Sequence, residues 1–372
     1  MTLLKLKVDK LKKYLGLLDI DVDIAIIQSR EALKYMLSEV YSPPPEEVSV
    51  YRIVIDMESN ALELYVPPLE YYRIKEIYGD KNIDVYAISF QCEEVPPDMK
   101  CIDRSSADTK IKDRLKAYKH IALDDLSICE ELVCIDIKNA VKHIRRRKSE
   151  EEVEVIKRAA GITEKAIEIV ASRIEKGFSE LHIASMLEYI AKELGADGYG
   201  FTTIVAIGEN TAKPHHIPSQ KEFKGFEPIL IDFGVRVLGY VSDVTRILVP
   251  RTMDKDYREL VQLIDNVKNE AISIIKSGAH CRDVDYVARS RLKEVNLHKY
   301  FIHGLGHGVG IDVHEEPRLS LNSKDILVEG DVVTVEPGVY FYNKYGVRIE
   351  DMVYITSKGV EILTKGIKVI EL

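Results

Sequence analysis

Between Lys176 and Gly338 this chain of 372 residues carries one pattern twice, which limits it to folds built from two related halves. "KGFSELHIASMLEYIAKELG" from Lys176 matches "SGAHCRDVDYVARSRLKEVN" from Ser277 at an offset of 101, with Gly177 on Gly278, Ile183 on Val284 and Met186 on Val287. Further on, "ILIDFG" from Ile229 parallels "VTVEPG" from Val333 at an offset of 104, and Asp243 in "VSDVTRI" falls on Glu350 in "VRIEDMV" at 107. An offset that drifts slowly is what loop insertions produce. Each half reads as helices followed by a hairpin with one carboxylate in each strand. Two such αβ halves facing each other bring Asp232, Asp243, Glu336 and Glu350 to a shared axis.

A lone aspartate in a strand is ordinarily a turn, edge or solvated position. Four acids in apolar strand contexts, repeated in register, are a different matter. Asp232 stands among Ile229, Leu230, Ile231 and Phe233, with no lysine close in sequence. A carboxylate taken out of water needs a compensating positive charge. Four converging carboxylates repel one another and push up their own pKa values unless cations neutralise them. Two divalent ions supply the four positive charges required.

The stretch "HGLGHGVGIDVHEEP", His303 to Pro317, holds three of the ten histidines. A dinucleotide fingerprint fails there, because Gly304 and Gly306 are followed by Val309, and Gly306 and Gly308 by Ile311. A zinc-protease HExxH fails as well: Arg318 stands where the second histidine belongs, and Pro317 breaks the helix. What remains is a loop of small residues that lets imidazoles approach a buried centre, one of them completing the metal site.

The first part of the chain has another texture. "VDIAIIQ", "VYRIVID", "ALELYVP", "IDVYAISF", "HIALDD" and "ELVCIDI" read as short strands, alternating with helical stretches such as "KVDKLKKYLGLL" and "DTKIKDRLKAY". Pro43, Pro44 and Pro45 form a stiff extended loop within this α/β pattern. Ser149, with Glu152 three residues on, makes a capping box that opens a helix with Val153, Ile156, Ala160, Thr163 and Ile167 on one face. The expected domains are therefore 1–147 and 148–372.

No apolar run approaches the roughly 20 residues of a membrane span, and the amphipathic start lacks a cleavage site, so a cytoplasmic address is expected. The five cysteines are odd in number and scattered without a CxxC, and read as reduced thiols. With 52 basic against 61 acidic residues, net −9, and "KHIRRRK" answered at once by "SEEEVE", nucleic acid is not an expected partner.

Asp232 in "IDFG", Asp243 in "SDVTR" eleven residues later, His307 in "GHGVG", Glu336 in "VEPG" and Glu350 in "RIED" resemble the five-ligand set of the pita-bread metallopeptidases, which include methionine aminopeptidase, aminopeptidase P and prolidase. The match runs from Ser149 to about Lys365. The residues before it are similar to the creatinase-type N-terminal domain of prolidases and aminopeptidases P, although "SREALKYMLSEVYSPPPEE" follows that pattern only loosely, and "HEEPRLS" is similar to prolidases in particular.

The resemblance implies a smaller α/β domain before a pita-bread domain, with Asp243 and Glu350 bridging two ions. Asp232 would chelate one of them, and His307 with Glu336 the other. A mixed oxygen and nitrogen set with one imidazole suits Mn or Co, or Zn or Fe, better than a soft metal. Two metals roughly 3.5–4 Å apart lower the pKa of a bridging water toward about 7, giving a hydroxide nucleophile. Glu336 would pass the water's proton to the leaving nitrogen, and His314 would bond the carbonyl oxygen as it gains charge. In "AKPHHIPS" the family pattern selects His215, directly after the proline, over His216. His303 is expected as a pocket residue. Arg348 and Arg318 are expected to hold a neighbouring carboxylate or the carboxyl end of the substrate.

An Xaa-Pro bond has no N–H to grip and a fixed ring, so it needs a dedicated pocket. The N-terminal domain favours this proline-directed branch over methionine removal. "HEEPRLS" and the short first domain favour a dipeptidase acting on proline-containing di- or short peptides. Aminopeptidase P, acting on longer peptides, and a non-catalytic pita-bread binding protein stay open. The resemblance also implies a homodimer.

Overall fold

The computed structural model describes residues 2–40, 50–79, 82–129, 132–366 and 369–372, and the chain divides into two compact units, Met1–Arg145 and Arg146–Leu372. The Pro43–Pro45 segment lies outside the described residues.

In the first unit, short apolar runs form strands β1 (Ile24–Ile27), β2 (Arg52–Asp56), β3 (Leu62–Val66), β4 (Ile83–Ser89), β5 (Cys101–Asp103), β6 (Ile121–Leu123) and β7 (Cys134–Asp136). They make one sheet in the order β5-β4-β3-β2-β1-β6-β7. Strand β2 runs antiparallel to both its neighbours, and the other pairs are parallel. Interior strand β1 is buried at all four positions, as a strand covered on both faces must be. Helix α1 (Leu3–Leu17) precedes them, α2 (Arg30–Met36), α3 (Tyr71–Tyr78) and α4 (Arg104–Leu115) lie between them, and α5 (Lys138–Arg146) follows. Strand β5 escapes the sequence reading because its Cys-Ile-Asp stands between Lys100 and Arg104, whereas the same three residues in β7 are extended by apolar Val133 and Ile137.

The cysteines need a correction. Four of the five are paired, Cys92 with Cys101 and Cys129 with Cys134, at Cα separations of 5.7 and 6.3 Å. Cys101 and Cys134 begin β5 and β7, the two edges of the sheet. Spacings of nine and five residues form no motif in sequence; each pair joins the first residue of an edge strand to a cysteine shortly before it. Only the buried Cys281 is a free thiol.

The second unit opens as expected: Ser149 and Glu152 form a reciprocal capping box, a device whose loss costs about 1 kcal/mol. It starts α6 (Glu150–Ala171), followed by α7 (Glu180–Glu193) and strands β8 (Gly198–Tyr199), β9 (Ile204–Ile207), β10 (Ile229–Phe233), β11 (Val235–Val237), β12 (Tyr240–Val241) and β13 (Val244–Val249). A second helix pair, α8 (Lys255–Ser273) and α9 (Cys281–Glu294), is followed by β14 (Gly306–Gly308), β15 (Glu315–Leu319), β16 (Val332–Val335), β17 (Gly338–Phe341), β18 (Tyr345–Arg348), β19 (Asp351–Thr356), β20 (Gly359–Ile362) and β21 (Val369–Glu371).

The repeat is thus real in space. Two helices lead into a three-strand antiparallel core, β9-β10-β13 in one half and β14-β16-β19 in the other, each interrupted by a small hairpin. Val205, Ile229, Ile231 and Val244 pack with α6 and α7, whereas Ala206, Leu230 and Ile247 pack into the core that holds α8 and α9. Strand β10 is therefore buried on both faces. Its period of two puts Asp232 on the face of Leu230, toward the second half.

Candidate metal centre

Each half delivers its acids at strand ends. Asp232 is the penultimate residue of β10, Asp243 directly precedes β13, Glu336 directly follows β16 and Glu350 directly precedes β19. The expectation of one acid inside each strand holds only for Asp232; the other three sit one residue outside, where the ladder ends and the side chain is free to turn into the cleft.

The glycine-rich stretch also differs from expectation. His307 lies in the middle of β14, held between β15 and β16 in a five-stranded sheet, rather than in a loose loop. The glycines answer a spacing problem: a Cβ on Gly306 would stand 2.0 Å from the Thr334 carbonyl oxygen, and one on Gly308 2.3 Å from that of Glu316. His307 is fixed at its backbone, which donates to Thr334 Oγ1 at 3.1 Å, and at its ring, where Nδ1 lies 3.1 Å from the Gly308 carbonyl oxygen. A carbonyl only accepts, so Nδ1 carries the proton and Nε2 presents its lone pair. That nitrogen lies 3.3 Å from Glu336 Oε1 and 3.6 Å from Asp243 Oδ2. A lone pair facing two carboxylates is repelled unless a cation stands among them.

Electrostatics points the same way. Asp243, His307 and Glu350 are buried, and each offers a ligand atom within 4.8 Å of the others. Asp232 Oδ1 and Glu350 Oε1 are buried without a hydrogen-bond partner. Burial, then repulsion from the other acids, pushes Asp243 and Glu350 well above the carboxylate range. Burial also raises Asp232, against the pull of Arg348. Burial pushes Glu336 up too, but with a proton on His307 Nε2 as the cation among these groups, the hydrogen bond and charge of that ring prevail and hold it at about 2. Four acids and one imidazole with unfilled lone pairs fit divalent cations, which would satisfy the orphaned oxygens and reverse the upward shifts.

The remaining residues singled out in the sequence line the same cavity, of about 660 Å³: His215, His303, His314, Arg318 and Arg348. Arg348 is buried, and its guanidinium is fully engaged. It donates to Asp232 Oδ2 at 2.5 Å, Thr245 Oγ1 at 3.1 Å, Tyr340 Oη at 3.0 Å and the Pro214 carbonyl at 3.3 Å. The Tyr340 hydroxyl in turn donates to His303 Nε2 at 2.9 Å, and His303 Nδ1 donates to the Gly304 carbonyl at 2.8 Å. Burial lowers the pKa of His303, in keeping with a neutral ring that accepts from Tyr340. His314 is exposed, with its ring edge-on to His307 at 4.3 Å between centroids. Arg318, exposed on β15, is in register with His307. His216 turns away from the cavity and bonds Glu180 Oε2 at 2.8 Å.

Sequence reading missed three supports. Thr245 donates to Glu350 Oε2 at 2.8 Å, Tyr340 links Arg348 to His303, and buried Lys148 meets buried Glu315 at 3.0 Å. Glu315 also accepts from the backbone of Ile311 and Asp312, which shapes the turn that carries His314. Only Thr245 had a signal, two residues after Asp243 in a repeated segment.

Known proteins resemble this chain in sequence and in fold. The Xaa-Pro dipeptidase of Pyrococcus furiosus is 34% identical over 317 residues, covering 84% of this chain and 86% of its own length. A solved Xaa-Pro dipeptidase from Bacillus anthracis superposes with a TM-score of 0.77 at 25% identity, covering 98% of this chain and 99% of its own. An X-Pro aminopeptidase from Thermotoga maritima does so at 0.78 and 28% identity, covering 97% and 100%. Residues 154–357 match the description of metallopeptidase family M24, and with the cluster of acids and His307 inside that span, the chain belongs to this family of divalent-metal peptidases.

Proposed function

We propose that the chain is an Xaa-Pro dipeptidase that hydrolyses proline-containing dipeptides at a dinuclear metal centre. The observation that carries this reading is the convergence of Asp232, Asp243, His307, Glu336 and Glu350 on one cavity, with orphaned oxygens on Asp232 and Glu350. Asp243 and Glu350 would be shared between two ions, Asp232 would hold one, and His307 with Glu336 the other; Mn or Co suits this donor set. When bound, such ions supply a water acidified toward a pKa of about 7 and polarise the scissile carbonyl.

The chain's own residues do the rest. Glu336 takes the proton from the attacking water and delivers it to the proline nitrogen as the C–N bond breaks. His314, exposed at the cavity beside His307, donates to the carbonyl oxygen as it gains charge, and His215 faces the same space. Arg318 is the guanidinium at the cavity suited to the substrate carboxylate, because Arg348 is engaged on Asp232. His303, both of whose nitrogens are bonded, contributes ring surface to the proline pocket.

An aminopeptidase reading for longer peptides is kept open by one observation, a TM-score of 0.78 with the Thermotoga maritima enzyme, level with the 0.77 of the Bacillus anthracis dipeptidase. The test is hydrolysis of a matched Xaa-Pro dipeptide and Xaa-Pro-Yaa tripeptide by metal-stripped protein with Mn or Co added back. Metal-dependent cleavage of the dipeptide in preference is expected. Preference for the tripeptide moves the assignment to an aminopeptidase, and no turnover of either by folded, metal-loaded protein overturns it.

We infer further a homodimer in which residues 1–147 serve as a creatinase-type domain, and a cytoplasmic address. Among the described residues no helix is long and apolar enough to cross a membrane. The two disulfides of the first unit are uncommon in a reducing compartment outside hyperthermophiles, so thiol counting on natively purified protein tests the address.

A further inference from the structure

The first residue of α7, Glu180, is fully buried yet lies outside the metal centre. Its carboxylate accepts five hydrogen bonds, all from the chain between Ile207 and Ser219. Oε1 takes Ile207 N and Asn210 Nδ2, each at 2.8 Å. Oε2 takes His216 Nε2 at 2.8 Å, Ser219 N at 2.9 Å and Ser219 Oγ at 2.6 Å. A helix of ordinary stability needs none of this. Ser179 already caps α7 by accepting from His182 N.

The segment so held carries "KPHH", with His215 at its centre. On one side of His215 the Pro214 carbonyl accepts from Arg348 Nη1. On the other side, His216 is tied to Glu180. His215 itself is exposed and lines the cavity with the acids and His307. A histidine on an exposed loop samples many orientations unless its neighbours are fixed, and such placement is worth orders of magnitude in rate. Burial pushes Glu180 up, but the bonds from His216, Ser219, Asn210 and Ile207 hold it below its usual range, so it stays an acceptor.

We propose that Glu180 is a positioning residue for the reaction: through His216 and Ser219 it fixes the loop so that His215 faces the substrate. The inference rests on His215 acting on substrate, as in the proposed function. It differs from a merely structural role, in which Glu180 would hold the fold without regard to His215.

A double-mutant cycle on the metal-loaded enzyme separates the two. Glu180→Gln keeps the shape but turns an amide N–H toward donors. With metal content unchanged, it is expected to lower kcat/KM about ten-fold or more, with the same division between kcat and KM as His215→Ala. The double variant should be no worse than His215→Ala alone, within about two-fold. Losses that multiply in the double variant, or wild-type activity for Glu180→Gln beside a defective His215→Ala, overturn the inference and leave the proposed function standing. Wild-type activity for His215→Ala overturns the reading of His215 and this inference with it. His216→Asn, which weakens one of the five bonds, is run through the same cycle with about a three-fold expected loss. It keeps the result readable if Glu180→Gln fails to fold.

Discussion

Glu180 and the pair Asp243 and Glu350 are all buried acids of the same unit, and they stand in opposite electrostatic states. Glu180 finds five donors within its own chain and sits below the ordinary carboxylate range. Asp243 and Glu350 face other acids, keep an unpartnered oxygen on Glu350, and are driven well above that range. Burial alone does not distinguish a structural carboxylate from one that waits for an ion. What separates them is whether the fold supplies enough donors to stabilise the charge. Glu180 is complete without help; the cluster is complete only with cations.

The largest test of that contrast is neutralisation. Asp243→Asn is expected to abolish binding of the shared metals and to lower kcat/KM by about a thousand-fold or more, with the fold retained. Metal analysis beside circular dichroism checks both parts. Full metal content in the variant would mean that the cluster is held by something other than its acids.

Much of this was legible in the sequence, for a definite reason. An acid flanked by Ile229, Leu230, Ile231 and Phe233 contradicts its surroundings, and its recurrence 104 residues on removes coincidence. The cavity gathers the four acids singled out that way together with the four histidines and two arginines added from the glycine-rich stretch and the family resemblance. Glu180 was illegible because an acid in the first turn of a helix looks ordinary, and its five donors come from a loop beginning 27 residues away. Tyr340 likewise reads as one more strand aromatic until Arg348 and His303 are seen on either side of its hydroxyl. The disulfides hid for the same reason, since sulfur separations are set by the fold and not by spacing. Short β5 shows the limit for elements: three residues between Lys100 and Arg104 lack the apolar neighbours that made equally short β7 readable.

Proton linkage sharpens the comparison at intermediate size. A carboxylate depressed in the fold, as Glu180 is, contributes stability above its unfolded value near 4.5 and loses it as pH falls below. Asp243 and Glu350 have the opposite sign. In metal-stripped protein the folded state binds protons there that the unfolded state has released, so stability falls as pH rises from their ordinary values of 3.8 and 4.5 through the raised ones. Melting curves of stripped protein across that range, with and without excess divalent metal, should show a metal-induced stabilisation that grows with pH. A stabilisation that is large at pH 4 and flat thereafter would mean the cluster is ionised without metal.

The smallest effects come from trimming one hydroxyl at each site. Thr245→Val removes the donor at 2.8 Å from Glu350 Oε2 and the acceptor of Arg348 Nε, in a side chain of the same shape. Ser219→Ala removes the 2.6 Å donor from Glu180 Oε2 and leaves the other four. A single neutral donor to a charged group is worth about 1.5–3 kcal/mol, less when neighbours compensate. At Glu180 four donors remain, so the loss appears as a few degrees in melting temperature with metal affinity unchanged. Among the described residues no other side chain donates to Glu350, and a cation feels the change directly: metal affinity should fall about ten-fold, with kcat at saturating metal close to wild type. Affinity lost in Ser219→Ala, or retained in Thr245→Val, would erase the division between a carboxylate completed by its chain and one completed by an ion.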